Sequence, residues 1–412
     1  MTTAPIGGDE RCIVAENAGI AGQVYLKAGR EGPVRGGNPW IFSQTIARVE
    51  PSNLPAGAAV QIRDRGGRLL GFGHFNPGTT IAVRMLAWDG AATRIDRLLE
   101  ERIQNARALR QRLISPHTDC YRLVNGDGDG LSGLVIDRYA DVLVVQILSA
   151  GMEALRVEIV AALTRTIAPR AIIERSQGAV RKAEGLADCA GLLAGTMPGP
   201  TIVTENGLKF EVDFERGQKT GHFLDQRENR ARLAAIAGDA RVLDLCCYSG
   251  GFALMALKAG ARDVIGVDTS ARALDWARRN LALNELPSER ARFVHAQAGE
   301  YLASCGEKFD VIVLDPPPLA RARESAAHAG RLYVDLNAAA MRVLAPGGHL
   351  MTFSCSVHFR GEDFVRAVRI AESRANRRLR MIARLGAGAD HPVLLGHVEG
   401  EYLTGLWLSD LE

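Results

Sequence analysis

The chain has 412 residues, 47% of them hydrophobic, and a formal net charge of only +3. That length suits two or three domains with real cores, and the charge excludes a global polycation. Seven cysteines, an odd number without C-x-x-C pairs, argue against a disulfide framework or a zinc site, so no metal is expected. Arginine supplies nearly all the positive charge. Its forked guanidinium suits phosphate recognition, but a coding bias toward Arg, Ala and Gly is the simpler cause. The start, MTTAPIGGDE, lacks a basic region followed by an apolar one, and no apolar run is long enough to span a bilayer. A reducing cytoplasm is the expected compartment, with residues 1–20 a loose leader.

From Val24 to Leu86 the pattern is all-β. Ala59–Ile62 alternates, Asp64-Arg65-Gly66-Gly67 is a hairpin turn, and Leu69–Phe72 continues the ribbon. Gly71–Gly78 reads as a further punctuated turn before the strand Thr80–Leu86. Short strands with glycine turns suggest a small barrel. Lys27, Arg30 and Arg35 precede Asn38-Pro39-Trp40-Ile41-Phe42, a basic and aromatic mixture that suits a surface tracking a nucleic-acid backbone. Taken singly, Trp40 and Phe42 read as core.

Ile95–Ile114 has the apolar stripe of an amphipathic helix. In Asn125-Gly126-Asp127-Gly128-Asp129-Gly130 the acid spacing tempts one toward calcium. The EF-hand pattern and its terminal Glu are missing, so two turns between strands are expected. The strand Asp141–Leu148, helix Glu153–Ile167 and strand Ala171–Glu174 then make a small α+β unit.

Thr201–Phe214 is a hairpin around Asn206-Gly207. The polar run Lys219-Thr220-Gly221-His222-Phe223-Leu224-Asp225-Gln226-Arg227 leads into a helix, and on residue type alone its side chains are caps and solvated groups. Arg241–Phe252, RVLDLCCYSGGF, is the centre of the last domain. A short branched strand ends in a turn where Gly250 and Gly251 admit a ligand close to the backbone, and the helix Phe252–Ala259 offers its N-terminus to a polar or anionic group. A second strand ends on Asp268, about 20 residues on, where a dinucleotide fold places its ribose-binding acid. Another Rossmann-like nucleotide binder fits the same residues.

Ser270 caps the helix Ala271–Leu283, with Trp276 in the core. Arg292–His295 is a third strand. Phe309–Leu314 is fully apolar and ends in Asp315-Pro316-Pro317-Pro318, a rigid carboxylate at the edge where open α/β sheets bind ligands. Strand His349–Phe353 ends in Ser354-Cys355-Ser356. A thiolate here can add to carbon 6 of a pyrimidine and make carbon 5 nucleophilic. A buried structural cysteine is an equal reading of the residues alone. Cys246, Cys247 and Cys305 read as packing cysteines. Near the C-terminus Glu399 and Glu401 read on residue type alone as solvated loop acids. Arg321 and Arg323 could meet phosphates or be a solvated helix start.

These stretches together resemble one family. D-L-C-C-Y-S-G-G-F and Asp268 are similar to motifs I and II of class I S-adenosylmethionine methyltransferases, and Asp315-Pro316-Pro317 to their motif IV. The NPWIFS segment resembles a PUA domain, an RNA-binding pseudobarrel. GLVIDRY, ERS and VRKAEGL, K-T-G-x-F-L-D-Q-R and S-C-S after D-P-P are similar to ribosomal-RNA cytosine-5 methyltransferases that carry an N-terminal PUA domain.

The resemblance implies three parts: a PUA-like barrel at 20–92, a central α+β domain at 93–199 and a class I Rossmann-like α/β methyltransferase domain at 200–412. It implies S-adenosylmethionine held by Asp244, Cys246, Tyr248, Gly250 and Asp268, with Gln297 at the adenine in place of the usual Asp. Phe223, Gln226 and Arg227 would lie near cofactor or substrate. Cys355 would be the nucleophile, Asp315 would position the base and meet the cofactor, and Glu401, in preference to Glu399, would take the proton. Pro318 departs from the usual Lys. The implied partner is large-subunit ribosomal RNA, with no membrane, and a homodimer is left open. The competing functions are an RNA base-amine or guanine methyltransferase on the same scaffold, and a non-catalytic RNA-binding assembly factor.

Overall fold

The computed structural model describes residues 19–88, 95–320, 326–356 and 358–411. The leader expected at 1–20 falls almost wholly outside them, as do Arg321 and Arg323. The chain divides into two units. The first takes residues up to Ile114, Tyr121–Pro198 and Asp390–Gly400, and the second takes Ser115–Cys120, Gly199–Ala389 and Glu401 onward.

In the first unit a six-stranded sheet runs in the order Trp40–Phe42, Ile81–Trp88, Leu69–Phe75, Ala58–Arg63, Gly22–Leu26 and Ile46–Glu50. One strand is longer than its sequence suggests. Leu69–Phe75 continues straight through Gly71 and Gly73, so the expected turn shrinks to its last residues. Those glycines are where the neighbouring backbone comes too near for a side chain. A Cβ on Gly71 would lie 2.1 Å from the Ala87 carbonyl oxygen, and one on Gly73 2.3 Å from that of Arg84.

The central sheet follows the order Cys189–Gly195, Ala171–Ser176, Val142–Ile147, Leu134–Tyr139 and Cys120–Asn125. Its helical segment is two helices, Ala150–Ala154 capped by Ser149 and Arg156–Ile167, instead of one from Glu153. Buried Glu184 joins the six-stranded sheet to the central part, accepting bonds from Asn76 Nδ2 at 2.9 Å, Arg84 Nη2 at 2.8 Å and the Ala150 N–H at 3.2 Å. The expected boundary near residue 92 thus falls inside one unit.

The Asp127-Gly-Asp129-Gly run forms a turn. Asp129 takes a forked pair of bonds from Arg110 at 2.5 and 2.8 Å, and Asp127 accepts the Trp40 indole N–H at 3.2 Å. Gly128 lies so close to Pro392 that a Cβ would stand 1.8 Å from its carbonyl oxygen. Among the described residues no group of His, Cys, Asp and Glu is arranged to hold a metal, and no helix is long and apolar enough to cross a membrane.

The second unit opens with the hairpin Thr201–Glu205 and Leu208–Val212, whose Asn206 (φ 50°) and Gly207 (φ 72°) are both left-handed as a tight two-residue turn requires. Its main sheet has seven strands in the spatial order Ala291–His295, Asp263–Asp268, Arg241–Leu245, Phe309–Leu314, Leu344–Ser354, Thr404–Asp410 and Leu379–Leu385. The first five are parallel, and Thr404–Asp410 runs antiparallel to both neighbours. Chain order reverses between Arg241–Leu245 and Phe309–Leu314. The carboxyl ends of those adjacent strands border the crevice in which doubly wound sheets bind ligands. The middle strands read as unbroken apolar runs because helices cover both faces: Phe309, Ile312 and Leu314 pack to one side, Val311 and Val313 to the other.

Candidate active site

The turn after Arg241–Leu245 is built from strained backbone. Cys246 (φ 63°), Tyr248 (φ 48°) and Gly250 (φ 84°) are all left-handed, and for the two non-glycine residues that conformation costs about 1–3 kcal/mol each. The turn is held from below. The Tyr248 N–H donates to Asp268 Oδ2 at 2.9 Å, and the Ser270 N–H to Asp268 Oδ1 at 2.8 Å, so this acid ties two strand ends together. Asn280 Nδ2 donates to the Ser249 carbonyl at 3.1 Å. Gly251 has no Cβ because Arg230 runs alongside, its Cδ 2.9 Å from where one would stand.

Asp244 sits one turn below the start of the helix Gly251–Lys258. Its Oδ2 accepts the Ala253 N–H at 3.0 Å, while its buried Oδ1 has no hydrogen-bond partner. Burial pushes this carboxyl up to about 7, the Ala253 bond opposing and the charges of Asp315 and Asp268 adding to the rise. An orphaned carboxylate oxygen beneath a glycine turn is a place made for a donor or cation from a ligand. The ammonium of an amino-acid-bearing nucleoside fits that need, and the residues present therefore suit S-adenosylmethionine. Tyr248 and Phe223 pack edge to face at 5.1 Å, and Tyr248 contacts Trp276 at 6.0 Å. Gln297 is exposed at the start of the helix Ala298–Ser304. Cys246 is half-buried and Cys247 buried, and burial raises both thiols far above their ordinary range.

The second half of the site is a pair of strand ends clamped together. Ser354 and Ser356 are fully buried and share the Tyr333 hydroxyl at 2.9 and 3.0 Å. Ser354 also donates to the Phe359 carbonyl at 2.8 Å, and Ser356 Oγ accepts the Ala320 N–H at 3.2 Å. The alternating direction of an extended chain then sends Cys355 the other way. Its Sγ lies 3.7 Å from the Pro316 carbonyl, in the loop that begins with Asp315. The thiol and the loop that follows Asp315 therefore meet at one edge.

Burial raises the Cys355 thiol to about 12, with Asp315 pushing further up and Lys219 pulling down. Asp315 accepts Gln226 Nε2 at 3.0 Å. Burial and the charge of Asp225 lift its carboxyl to about 7, against Lys219 and Gln226.

The segment Lys219–Arg227 is the wall beside this pair. Asn229 Nδ2 donates to Gln226 Oε1 at 2.6 Å, orienting the amide toward Asp315. Asp225 Oδ2 takes Lys219 Nζ and the Tyr402 hydroxyl, each at 2.6 Å. Arg227 is buried, with Nη2 3.6 Å from Glu228. Pro318 is exposed. Glu401 is exposed, and its carbonyl, not its carboxylate, accepts a bond from Arg360. Glu399 belongs to the first unit, its Oε2 3.2 Å from His397 Nδ1. Tyr402 and Asn229 were not singled out from sequence. Only the aromatic beside Glu401, just ahead of the last strand, could have signalled Tyr402. A cavity of about 560 Å³ in the first unit, lined by Trp40, Arg84, Asp127 and His397 among others, contains none of these residues.

The seven-stranded sheet, the glycine turn and the paired strand ends define a class I methyltransferase. Residues 122–395 match the family model described as S-adenosylmethionine-dependent methyltransferase, and residues 24–88 match a PUA-like domain. Ribosomal RNA large subunit methyltransferase I of Photobacterium profundum is 41% identical over 388 residues, 93% of this chain and 98% of that relative. The protein of the same name from Klebsiella pneumoniae (strain 342) is 39% identical over 93% of this chain and 97% of its own. A solved protein from Streptococcus mutans, described as a SAM-dependent methyltransferase, shares the fold with a TM-score of 0.79 at 20% identity, covering 94% of this chain and 99% of its own. A second, a methyltransferase complexed with SAH, superposes with a TM-score of 0.81 at 21% identity over 94% of this chain and 99% of its own. The chain belongs to the S-adenosylmethionine-dependent methyltransferases and, within them, to the family of ribosomal RNA large subunit methyltransferase I.

Proposed function

We propose that the protein methylates carbon 5 of a cytosine in 23S ribosomal RNA, in the cytoplasm, through a covalent adduct between Cys355 and carbon 6. The observation that carries this reading is the clamp at the sheet edge: Ser354 and Ser356 turned inward, Cys355 turned outward and its Sγ 3.7 Å from the loop of Asp315. An amine methyltransferase has no use for a thiol there, and Asp315-Pro-Pro-Pro lacks the aromatic that would stack on its target base. Asp244, Cys246, Tyr248, Gly250, Asp268 and Gln297 would hold the cofactor, with Asp315, Phe223, Gln226 and Arg227 beside it. When bound, S-adenosylmethionine supplies an electrophilic methyl group. The PUA-like barrel would engage RNA, and the target base must leave its stack to reach the crevice.

Carbon 5 of cytosine is a weak nucleophile. The Cys355 thiolate forms a bond to carbon 6, and the double-bond electrons shift so that carbon 5 can accept the methyl. Asp315 holds the base edge during this step, and a carboxyl near 7 can give or take a proton there. Glu401 then takes the carbon-5 proton. The C–H electrons restore the double bond, the S–C6 bond breaks and the thiolate returns.

RNA carrying 5-fluorocytosine tests the order of events. It has no proton to lose after methylation, so a protein–RNA adduct that survives denaturing gels is expected, and Cys355→Ala should abolish both adduct and methylation, a loss of at least about a thousand-fold. Glu401→Gln should accumulate adduct on ordinary RNA. Methylation that persists in Cys355→Ala would favour a base-amine product, and a chain that binds no S-adenosylmethionine in calorimetry would be an assembly factor.

A further inference from the structure

Three hydroxyls stand behind Cys355, and the order of their protons follows from the geometry. Ser354, Ser356 and Tyr333 are fully buried. Tyr333 comes from the helix Ala326–Arg342, its ring stacked on Phe359 at 5.3 Å with the planes 7° apart. Each hydroxyl has a single proton to give. The Ser354 proton goes to the Phe359 carbonyl at 2.8 Å, since a carbonyl can only accept. Tyr333 Oη, 2.9 Å away, must then donate to Ser354 Oγ, and Ser356 Oγ, at 3.0 Å, to Tyr333 Oη. Ser356 Oγ accepts in turn from the Ala320 N–H at 3.2 Å. The relay thus starts on a backbone donor and ends on a backbone acceptor, with every hydroxyl proton used.

Ala320 belongs to the loop that starts at Asp315. Pro316, Pro317 and Pro318 have no N–H with which to tie that loop to its neighbour, so the tie falls beyond them. The same loop meets the thiol at its other end, where the Pro316 carbonyl is 3.7 Å from Cys355 Sγ. Cys355 and Ser356 therefore meet the loop at two points, and Tyr333 holds their strand end from behind. We propose that Tyr333 is the positioning residue of the nucleophile: its hydroxyl completes the relay that fixes Cys355 against the loop of Asp315. This rests on Cys355 being the nucleophile. Tyr333 acts through the two serines and takes no part in making or breaking bonds. In Tyr333→Phe the stack on Phe359 can persist, but the Ser356 proton loses its acceptor and Ser354 Oγ its donor. A buried hydroxyl left unpaired turns toward another acceptor and releases Ala320, so the sulfur and the loop lose their fixed spacing.

The test separates positioning from packing in the full-length protein. Tyr333→Phe should lower kcat for RNA methylation by about ten- to a hundred-fold, the cost of a misplaced reacting group. KM for RNA and S-adenosylmethionine affinity in calorimetry should stay within about two-fold of wild type. Adduct formation on RNA carrying 5-fluorocytosine should slow as well, since the sulfur makes the first bond. Ser356→Ala should cost as much or more, because it also frees Ala320, and adding Tyr333→Phe to it should cost no further activity. Links of one relay fail together, whereas independent packing losses multiply. A kcat in Tyr333→Phe within about two-fold of wild type, a drop matched by weakened S-adenosylmethionine binding, or losses that multiply in the double variant overturns the proposal. Cys355→Ala keeps the two readings apart. Methylation abolished there, with kcat unchanged in Tyr333→Phe, removes the relay alone. Methylation that persists there removes the nucleophile and the relay with it.

Discussion

Two buried carboxylates of the second unit, Glu205 and Asp244, have opposite fates. Glu205 is fully buried, yet it meets Arg230 through two bonds of 2.6 Å in a fork. Burial alone would push its carboxyl up; Arg230 and His222 outweigh that and hold it at about 2. Asp244 is as deeply buried and has one backbone N–H, one orphaned oxygen and a carboxyl raised to about 7. The difference is what each is for. The Glu205 pair is complete within the chain, and Arg230 also donates to the Phe223 carbonyl at 2.7 Å and passes under Gly251, so it supports the site from behind. Asp244 lies one residue before the end of its strand with one oxygen left unpartnered, and the fold tolerates an uncompensated acid there.

Breaking the completed pair should have the largest effect. Glu205→Ala leaves a guanidinium buried without its counter-charge, and a loss of about 3–5 kcal/mol in urea denaturation is expected. The sign of its pH dependence follows from the depressed carboxyl. Its stabilisation is present above the unfolded value near 4.5 and disappears as pH falls from there toward about 2. Wild-type acid unfolding should therefore steepen in that window, and a Glu205→Ala protein whose acid midpoint matches wild type would refute the assignment.

Asp244 should behave in the reverse sense. Its carboxyl is raised in the folded state, so the chain loses stability as pH rises from the unfolded value of 3.8 through about 7. Asp244→Asn should flatten that loss and leave the ligand-free protein about 1–2 kcal/mol more stable than wild type at pH 8. The same change should weaken S-adenosylmethionine binding in calorimetry. Stabilisation without weakened binding would show that the orphaned oxygen has no ligand to meet.

The contrast also marks what the sequence could disclose. Phe309–Leu314 and Ala271–Leu283 match their expected limits because a wholly apolar run before Asp-Pro and a Ser270 cap are local signals. Asp315 and Cys355 could be placed from sequence because each directly follows a recognisable strand, and Asp244 because it lies one residue before the end of another. The partnerships were not. Glu205 and Arg230 are 25 residues apart, and Tyr402 is 177 residues from Asp225, so no periodicity records them. Leu69–Phe75 was misread for a related reason. Glycines that make room for a neighbouring strand look, in one dimension, like glycines that turn.

Asp268 lies between the two extremes and gives the smallest expected change. Both its oxygens accept backbone N–H groups, from Tyr248 and Ser270, so it serves the fold like Glu205 while lying near a strand end like Asp244. An asparagine keeps one acceptor and turns an amide donor toward the other N–H. The expected loss is therefore about 1 kcal/mol in urea, one charge-assisted bond to a backbone donor. Cofactor affinity should fall by more than that loss, because the ribose hydroxyls would compete for the one remaining oxygen. If affinity is untouched while stability drops, Asp268 is a tie between strands and nothing else, and the crevice must recognise ribose through other groups.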